Sequence, residues 1–360
     1  MPIDRRTFLR ASAVAGLGAG LGAGADTLVA TRSHAQADPR AAYFAELYAA
    51  AKKEGELTWY IAHWGTDLAE RVATAFGEAY PGVKANVVRA TSQVIYQRLT
   101  QDMKAKVANC DVFSSADNGQ YVTLRSQNKL VAWEAKNLAD CAPVLRDIDP
   151  AHFITITDAN PTVLAYNTTL VSAADAPKKW TDFLDTKWIG QIAVPHPGFS
   201  GAMGAWTVAM NNLYGWEFFE KLHKNKPFIT RSLVDPPMTI GRGERKIGMS
   251  TLATAVNMKS RGEPIAPAYP EDGAMLNIGP TSIIAGAPHP NAARLFIEYL
   301  LSKPGGEFAA AEFLIPVRND VTPKEGIPPL GTLKGIKSDP VEIAAKLPDL
   351  IEKWRDTFGV

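Results

Sequence analysis

The chain alternates short apolar runs with longer segments in which apolar residues recur every three to four positions. Apolar runs at 56–62, 83–88 and 111–114 predict buried strands, whereas residues 68–80 place their apolar side chains on one face of a helix. Strands that alternate with helices in this order predict a parallel sheet covered by helices. The first half of the chain therefore predicts an α/β fold.

In a sheet of this kind, ligands bind at the carboxyl ends of the strands, where the connecting loops converge. We expect ligand contacts from six residues that follow the three predicted strands: His63, Trp64, Ser92, Gln93, Ser115 and Asp117. Trp64 would stack on a planar or apolar part of the ligand. His63 could instead make a structural hydrogen bond, and Asp117 could either bind an ammonium group or cap the helix that follows it.

The first 37 residues have the pattern of an export signal. Arg5 and Arg6 precede an apolar pair, residues 11–30 are rich in alanine and glycine, and residues 35–37 read Ala-Gln-Ala, which suits a signal peptidase. The paired arginines resemble the twin-arginine signal, which a receptor recognises. We expect residues 1–37 to be removed on export by the twin-arginine pathway, which leaves a soluble periplasmic protein. A disordered basic tail is the alternative.

Removal of this segment changes the charge balance. It holds four arginines and two aspartates, so the formal net charge falls from +1 for the whole chain to −1 for the remainder. A near-neutral surface has no basic excess for phosphate backbones, which argues against a nucleic-acid partner. Cys110 and Cys141 could pair in an oxidising compartment or stay free, and neither has the spacing of a zinc site. We expect no cofactor and no metal.

The pattern changes near residue 160, where residues 162–167 predict a strand that crosses into a second lobe. Residues 265–270 predict the return crossing, so two strands would form a hinge. Two lobes suit the length, because more than about 300 residues exceed what one hydrophobic core normally holds. Helices at 291–302 and 306–312 are expected to pack back on the first lobe, and residues 340–358 predict a terminal amphipathic helix.

The loop before one second-lobe helix predicts an anion site. Ser200 is a suitable N-cap, and the backbone N–H groups of Gly201 and Ala202 would point into the cleft with the positive end of the helix dipole. Phosphate, phosphonate or carboxylate oxygens can accept from such free donors. The alternative is that Ser200 only caps the helix. Thr251 and Asp272 are further expected ligand contacts, from the second lobe and the return crossing.

Several short motifs resemble those of the family 1 extracellular solute-binding proteins of ABC transporters. In chain order they read DVFSS at 111–115, LAYN at 164–167, WTDF at 180–183, GRGE at 241–244 and YPEDG at 269–273. Their order and spacing are similar to the branch that includes receptors for ferric iron, phosphonates, sugar phosphates and thiamine-like solutes. The resemblance spans nearly all of the chain after residue 37.

The resemblance implies a type II periplasmic-binding-protein fold, with two lobes joined by a two-strand hinge. The expected division is 38–160 and 273–360 for lobe 1 and 161–272 for lobe 2. It also implies that a monomer captures a small ligand between its lobes and delivers it to the membrane permease of an ABC transporter. With the Ser200 helix start, we expect that ligand to be a small organic anion: a phosphonate, a phosphate ester or a carboxylate.

Three alternatives remain open. The iron-binding members of the family use a tyrosine pair as ligands, but the matching stretch at 248–254 contains no tyrosine, so a ferric site would lack its hard oxygen donors. A serine hydrolase would need G-x-S-x-G, and the fifth position of the loop at 198–202 is alanine. A protein that docks on a chemoreceptor would use the same closure of two lobes.

Overall fold

The computed structural model describes residues 39–329 and 332–360. The predicted export signal at 1–37 therefore lies outside the described residues. The strands are β1 (Glu56–Ile61), β2 (Lys84–Arg89), β3 (Val112–Ser114), β4 (Thr155–Ala159), β5 (Thr162–Asn167), β6 (Ile192–Pro195), β7 (Phe228–Thr230), β8 (Ile247–Thr251), β9 (Ile265–Ala268), β10 (Ala274–Met275), β11 (Ile278–Ile283) and β12 (Gly335–Ile336).

The helices differ widely in length. They are α1 (Ala41–Glu54), α2 (Thr66–Ala79), α3 (Ser92–Lys104), α4 (Asn118–Ser126), α5 (Pro143–Arg146), α6 (Gly201–Tyr214), α7 (Glu217–Lys224), α8 (Asp235–Gly241), α9 (Leu252–Ser260), α10 (Pro290–Leu300), α11 (Lys303–Ala311) and α12 (Pro340–Phe358). Three 3₁₀ turns accompany them at Lys136–Asp140, Trp180–Leu184 and Thr186–Trp188. Within the described ranges, no helix has both the length and the apolar character that a membrane span requires.

The first sheet has the order β2-β1-β3-β11-β4. β1 runs parallel to both β2 and β3, which confirms the parallel sheet predicted from the alternating pattern. β11 lies antiparallel to β3 and β4 and returns to this sheet from late in the chain. The core beneath it includes Trp59 of β1, Phe76 of α2 and Phe296 of α10, with the Trp59 and Phe296 rings 4.8 Å apart. α10 therefore packs on the first sheet, as predicted.

The second sheet has the order β12-β10-β5-β8-β6-β7, and β9 pairs with β5. The chain enters it between β4 and β5, at Asn160 and Pro161. The return crossing differs from the prediction, because residues Ile265–Ala268 form β9 inside this sheet and the chain leaves only at Leu276 and Asn277. β9 contains Pro267, and a strand at the margin of a sheet tolerates proline. The two crossings touch, since the Asn160 N–H donates to the Asn277 carbonyl at 3.0 Å.

The C-terminal helix α12 bridges the two halves of the molecule. Asp339 caps its start by accepting from the Val341 N–H at 2.9 Å. The apolar face of α12, including Leu347 and Trp354, lies in the second hydrophobic core, although the expected bounds place this segment in lobe 1. An amphipathic pattern shows that one face is buried but not which sheet it covers. The expected lobe bounds as a whole stay a prediction.

Both cysteines are free and buried. The Cys110 thiol lies 3.3 Å from the Val112 carbonyl, and the Cys141 thiol lies 3.5 Å from the Asn137 carbonyl. Burial raises the pKa of Cys141 to about 12, and it raises the pKa of Cys110 as well. Since the thiolate is the reactive form, both side chains are unreactive in this conformation.

Candidate ligand site

A cavity of about 30 Å³ lies between the two sheets, which is room for about one water molecule. Its walls come from the carboxyl ends of β1, β2 and β3 on one side and from segments that follow β6 and β7 on the other. The lining residues are Ala62, Arg89, Thr91, Ser92, Ala116, Ser200, Ala202, Ser232, Leu233 and Val234. Strand ends from both sheets thus meet at one point, where α/β folds bind ligands.

The start of α6 leaves two backbone donors free at or next to this cavity, which Ser200 and Ala202 line. The Ser200 hydroxyl accepts from the Met203 N–H at 3.3 Å and so caps the helix. The backbone N–H groups of Gly201 and Ala202 donate to no partner in the described part of the chain. Unpaired N–H groups at a helix start carry the positive end of the helix dipole. This arrangement attracts an oxyanion.

His196 holds the loop that leads to this helix start. The Gly198 N–H donates to His196 Nδ1 at 2.8 Å, so the proton of a neutral ring lies on Nε2. Nε2 then donates to the Val360 carbonyl at 3.1 Å. Burial lowers the pKa of His196, which favours this neutral form. The loop is therefore fixed by hydrogen bonds on both sides of one ring.

Arg89, which the sequence analysis missed, brings a positive charge to the cavity. It ends β2, and its Nε donates to the Trp64 carbonyl at 3.0 Å. Its Nη2 donates to the Ser232 hydroxyl at 3.2 Å, a contact between the first sheet and the second. Burial lowers the pKa of Arg89, and the nearby Asp235 partly opposes this shift. A cation directly after an apolar strand was the signal that could have identified it.

Two hydroxyl side chains from the start of α3 stand beside Arg89. Ser92, an expected ligand contact, lines the cavity and is 2% exposed. Thr91, which was not predicted, has a buried hydroxyl oxygen with no hydrogen-bond partner among the described residues. A buried hydroxyl without a partner costs free energy unless a water or ligand supplies the hydrogen bond.

Three other predicted residues of the first sheet have internal partners. The Ser115 hydroxyl donates to Gln120 Oε1 at 2.7 Å. Gln93 Nε2 donates to Asp117 Oδ2 at 2.7 Å, while Asp117 Oδ1 accepts from the Gly119 N–H at 3.0 Å. Asp117 is thus the N-cap of α4, and burial raises its pKa. None of these three lines the cavity.

His63 and Trp64 do not line the cavity, and both lie beside Asp158 of β4. The Trp64 ring is in the first core, and its Nε1 donates to Asp158 Oδ2 at 3.0 Å. His63 Nδ1 is 3.7 Å from Asp158 Oδ1, too far for a hydrogen bond, and both ring nitrogens lack partners among the described residues. Burial lowers the pKa of His63, and the Asp158 charge opposes this.

The last two predicted residues also lie outside the cavity lining. Thr251 caps α9 by accepting from the Thr254 N–H at 3.2 Å. Asp272 accepts from the Trp180 N–H at 3.0 Å and from the Tyr214 hydroxyl at 3.0 Å. The structure therefore brings together Ser92, Ser200 and Ala202, with Gly201 adjacent. Which of the predicted residues bind a ligand stays a prediction.

No group of three or more His, Cys, Asp or Glu side chains within 39–329 and 332–360 is arranged to hold a metal ion. Residues Ile247–Thr251, where iron-binding members would place tyrosines, form β8, and Ser250 is fully buried there. Its hydroxyl donates to the Thr251 carbonyl at 2.8 Å. This stretch supplies hydroxyl groups and no carboxylate, imidazole or phenol.

Comparison with solved structures identifies the fold. AfuA, a periplasmic binding protein of Actinobacillus pleuropneumoniae solved with fructose-6-phosphate, aligns at a TM-score of 0.77 and 23% identity over 85% of this chain and 99% of that one. A substrate-binding protein of an Agrobacterium tumefaciens ABC transporter aligns at 0.75 and 16% identity over 84% and 94%. Iron-bound HitA of Pseudomonas aeruginosa aligns at 0.71 and 21% identity over 83% and 99%. The predicted type II periplasmic-binding-protein fold is confirmed.

Sequence comparison extends this result to the family. An uncharacterized protein of Haemophilus influenzae is 25% identical over 253 residues, which cover 67% of this chain and 72% of that protein. The model of the bacterial extracellular solute-binding proteins matches residues 110–341, more than half of the chain. The resemblance drawn from the motifs is confirmed, and the chain belongs to the family of bacterial extracellular solute-binding proteins.

Proposed function

We propose that the protein captures a small organic anion between its two sheets and delivers it to the membrane permease of an ABC transporter. The ligand would bind at the cavity between the sheets, which must widen from its present volume of about 30 Å³ as the two halves move apart to admit it. Proteins of this family bind a small ligand and work with such a permease. The ligand classes we propose are phosphonates, phosphate esters and carboxylates. We also propose that the chain acts as a monomer in the periplasm after export by the twin-arginine pathway.

The observation that carries this proposal is the meeting of Arg89 with the start of α6 in one cavity. Arg89 comes from the first sheet, whereas Ser200 and Ala202 belong to the start of α6 in the other half, and all three line the same space. Gly201, whose N–H group is also free, lies next to Ala202 in the chain. All of them are donors, and a guanidinium matches the geometry of a carboxylate or phosphate. An oxyanion between them would hold both halves of the molecule in the closed arrangement.

The chemistry of the other lining residues agrees with an anion. Thr91, Ser92, Ser200 and Ser232 provide hydroxyl groups, and the remaining five are apolar. None of the cavity-lining residues is an aspartate or glutamate, so no carboxylate borders the space to repel the charge. AfuA, which was solved with a sugar phosphate, is consistent with the same class of ligand, although its identity to this chain supports the fold alone.

Two features speak against the alternatives. Ser200 uses its hydroxyl oxygen to cap α6, and no histidine or acid lines the cavity beside it, so a hydrolase lacks its general base. A ferric site would need several hard anionic ligands, whereas the cavity lining offers a cation and neutral hydroxyls. We therefore propose a binding protein without catalytic activity.

A thermal-shift panel tests the proposal, because a ligand that binds the folded state raises the melting temperature. The panel contains methylphosphonate, fructose 6-phosphate, citrate and ferric citrate. We expect at least one oxyanion to stabilise the protein without iron, and Arg89→Met to remove that stabilisation. Stabilisation by ferric ion alone, retained in Arg89→Met, would contradict the proposal of an anionic ligand and support an iron-binding function.

A further inference from the structure

Gly201 lies at a close approach between the two halves of the molecule. It begins α6 in the second sheet's half, and it faces the backbone of Ala116 and Asp117, which follow β3 of the first sheet. A Cβ atom at position 201 would lie 2.7 Å from the Ala116 carbonyl carbon and 2.8 Å from Asp117 Cα. The Asp117 backbone nitrogen would be closer still. Even a methyl group therefore does not fit in this arrangement.

Gly119 makes a second close approach of the same kind. It lies in the first turn of α4, and a Cβ there would be 2.9 Å from the Ala344 backbone nitrogen and 3.1 Å from Ala344 Cα. Ala344 belongs to α12, whose apolar face lies in the second core. Two glycines on opposite sides of the cleft thus face backbone atoms of the other side.

We propose that Gly119 and Gly201, with the backbone they face at Ala116, Asp117 and Ala344, form a closure seam that permits the lobes to shut over the ligand. This inference rests on the proposed function, because closure matters only where a ligand is enclosed. Neither glycine touches the ligand through a side chain. They act as positioning residues, since they let the free N–H groups of α6 come within reach of Arg89.

The physical reason is that backbone atoms cannot move aside as a flexible side chain can. A methyl group at either position would separate the two halves by a fraction of an ångström or more, because cores and interfaces are closely packed. The open arrangement, in which the two backbones are apart, would accept the same methyl group without strain. A substitution at the seam should therefore act on closure and leave folding intact.

Gly201→Ala and Gly119→Ala test the seam against the control Gly65→Ala. A Cβ atom at Gly65 would have open space around it, with nothing within 4 Å beyond its chain neighbours, and the backbone there is ordinary at φ −70°. We expect each seam variant to lose at least about tenfold in affinity for methylphosphonate or fructose 6-phosphate. The unliganded melting temperatures of all three variants should stay close to that of the wild type.

Spin labels measure closure directly. Val94→Cys in α3 and Met238→Cys in α8 provide exposed sites in the two halves, and the native cysteines are buried. Pulsed electron paramagnetic resonance should show a short distance between the two labels in the protein with native glycines. Methylphosphonate or fructose 6-phosphate should increase the fraction of molecules with this short distance, and Gly201→Ala should lose it. An equal short-distance fraction in both proteins contradicts the seam, as does its absence from the wild type under every condition. If Gly201→Ala loses the short distance but no probe enriches it in the wild type, the seam stands and the proposed ligand class fails.

Discussion

The starts of α4 and α6 face each other across the cleft and look alike in sequence, since each helix follows a short polar cap residue. At α4, the Asp117 carboxylate accepts from the Gly119 N–H and from Gln93 Nε2, so the cap has internal partners for both oxygens. At α6, the Ser200 hydroxyl accepts from the Met203 N–H. The Gly201 and Ala202 N–H groups have no partner among the described residues, whereas at α4 both the Gly119 and the Gln120 N–H groups donate to Asp117.

The two helix starts also differ in charge, since only α4 has an acidic side chain at its start. Asp117 brings a buried carboxylate to α4, and burial raises its pKa because the charged form is poorly solvated. The start of α6 has no acidic side chain in its first turn and lies beside the cavity that Arg89 borders. The two helix starts therefore differ: a buried carboxylate caps one, and we propose that the other is available to a ligand.

Among the variants that test this difference, we expect the largest effect from Arg89→Met, which removes the positive charge beside α6 and keeps a long side chain. We expect ligand affinity to fall by about 100-fold or more, because charge-assisted hydrogen bonds at a buried site contribute several kcal/mol. Isothermal titration calorimetry measures the loss. Arg261→Met is the matched control, since Arg261 is exposed and pairs with Glu263 at 2.9 Å. An unchanged affinity in Arg89→Met would remove Arg89 from the site.

Ser200→Ala tests whether the cap of α6 contributes to ligand affinity as well as to stability. Loss of the cap should cost about 1 kcal/mol of stability and displace the free N–H groups, which we expect to lower affinity about tenfold. Ser302→Ala removes an equivalent cap, because Ser302 accepts from the Gly305 N–H at the start of α11. The two variants should lose similar stability in urea unfolding, but only Ser200→Ala should lose affinity. Equal affinities would mean that Ser200 serves the helix alone.

Asp117→Asn tests the other helix start. The amide keeps an oxygen for the Gly119 N–H, and Gln93 can turn its amide to present an oxygen to the new NH₂ group. We expect ligand affinity to change by less than about threefold. A much larger loss, for a ligand that carries an ammonium group, would restore Asp117 as a ligand residue.

His63→Leu should have the smallest effect on affinity, with its main effect on the pH dependence of stability. In the unfolded chain a histidine binds a proton near pH 6.5, whereas burial lowers the pKa of His63 in the folded protein. The unfolded state therefore binds more protons below about pH 6.5, and the free energy of unfolding falls as the pH falls. Burial also lowers the pKa of His196, which adds its own contribution to the pH dependence of the free energy of unfolding.

Urea unfolding at about pH 7.5 and about pH 5.5 measures this difference. We expect a smaller fall in the free energy of unfolding in His63→Leu than in the wild type. His223→Leu, at an exposed position, should behave as the wild type does. An identical fall in the wild type and His63→Leu would show that the buried ring is not a source of the pH dependence.

The sequence predicted which strand ends of the first sheet meet at the cavity, but not which side chains lack partners there. Alternating strands and helices predicted the parallel strands β1, β2 and β3, since hydrophobic periodicity depends only on local sequence. Ser115 and Asp117 were expected to bind ligand, but Gln120 and Gln93 already pair with them. These pairings depend on residues brought together by folding, which spacing along the chain does not reveal.

The surroundings of Arg89 and of α12 were harder to predict from the sequence, because they too depend on residues that folding brings together. Arg89 ends an edge strand, where an arginine commonly points to solvent, but here the Trp64 carbonyl and the Ser232 hydroxyl both accept from it. The pattern of α12 gives a buried face but no partner, and its position in the second core follows from packing against residues such as Trp206. Side chains that join two lobes are the least predictable, because their surroundings are made by both.

The most direct test of the central claim is the amide spectrum of the ¹⁵N-labelled protein during titration with the ligand that stabilises it most. The N–H groups of Gly201 and Ala202 are free in the described structure, so an oxyanion that accepts from them should shift their signals more than those of other residues. We predict that these two signals move together and saturate with the affinity found by calorimetry. Unchanged signals at both positions in the fully bound protein would contradict the account.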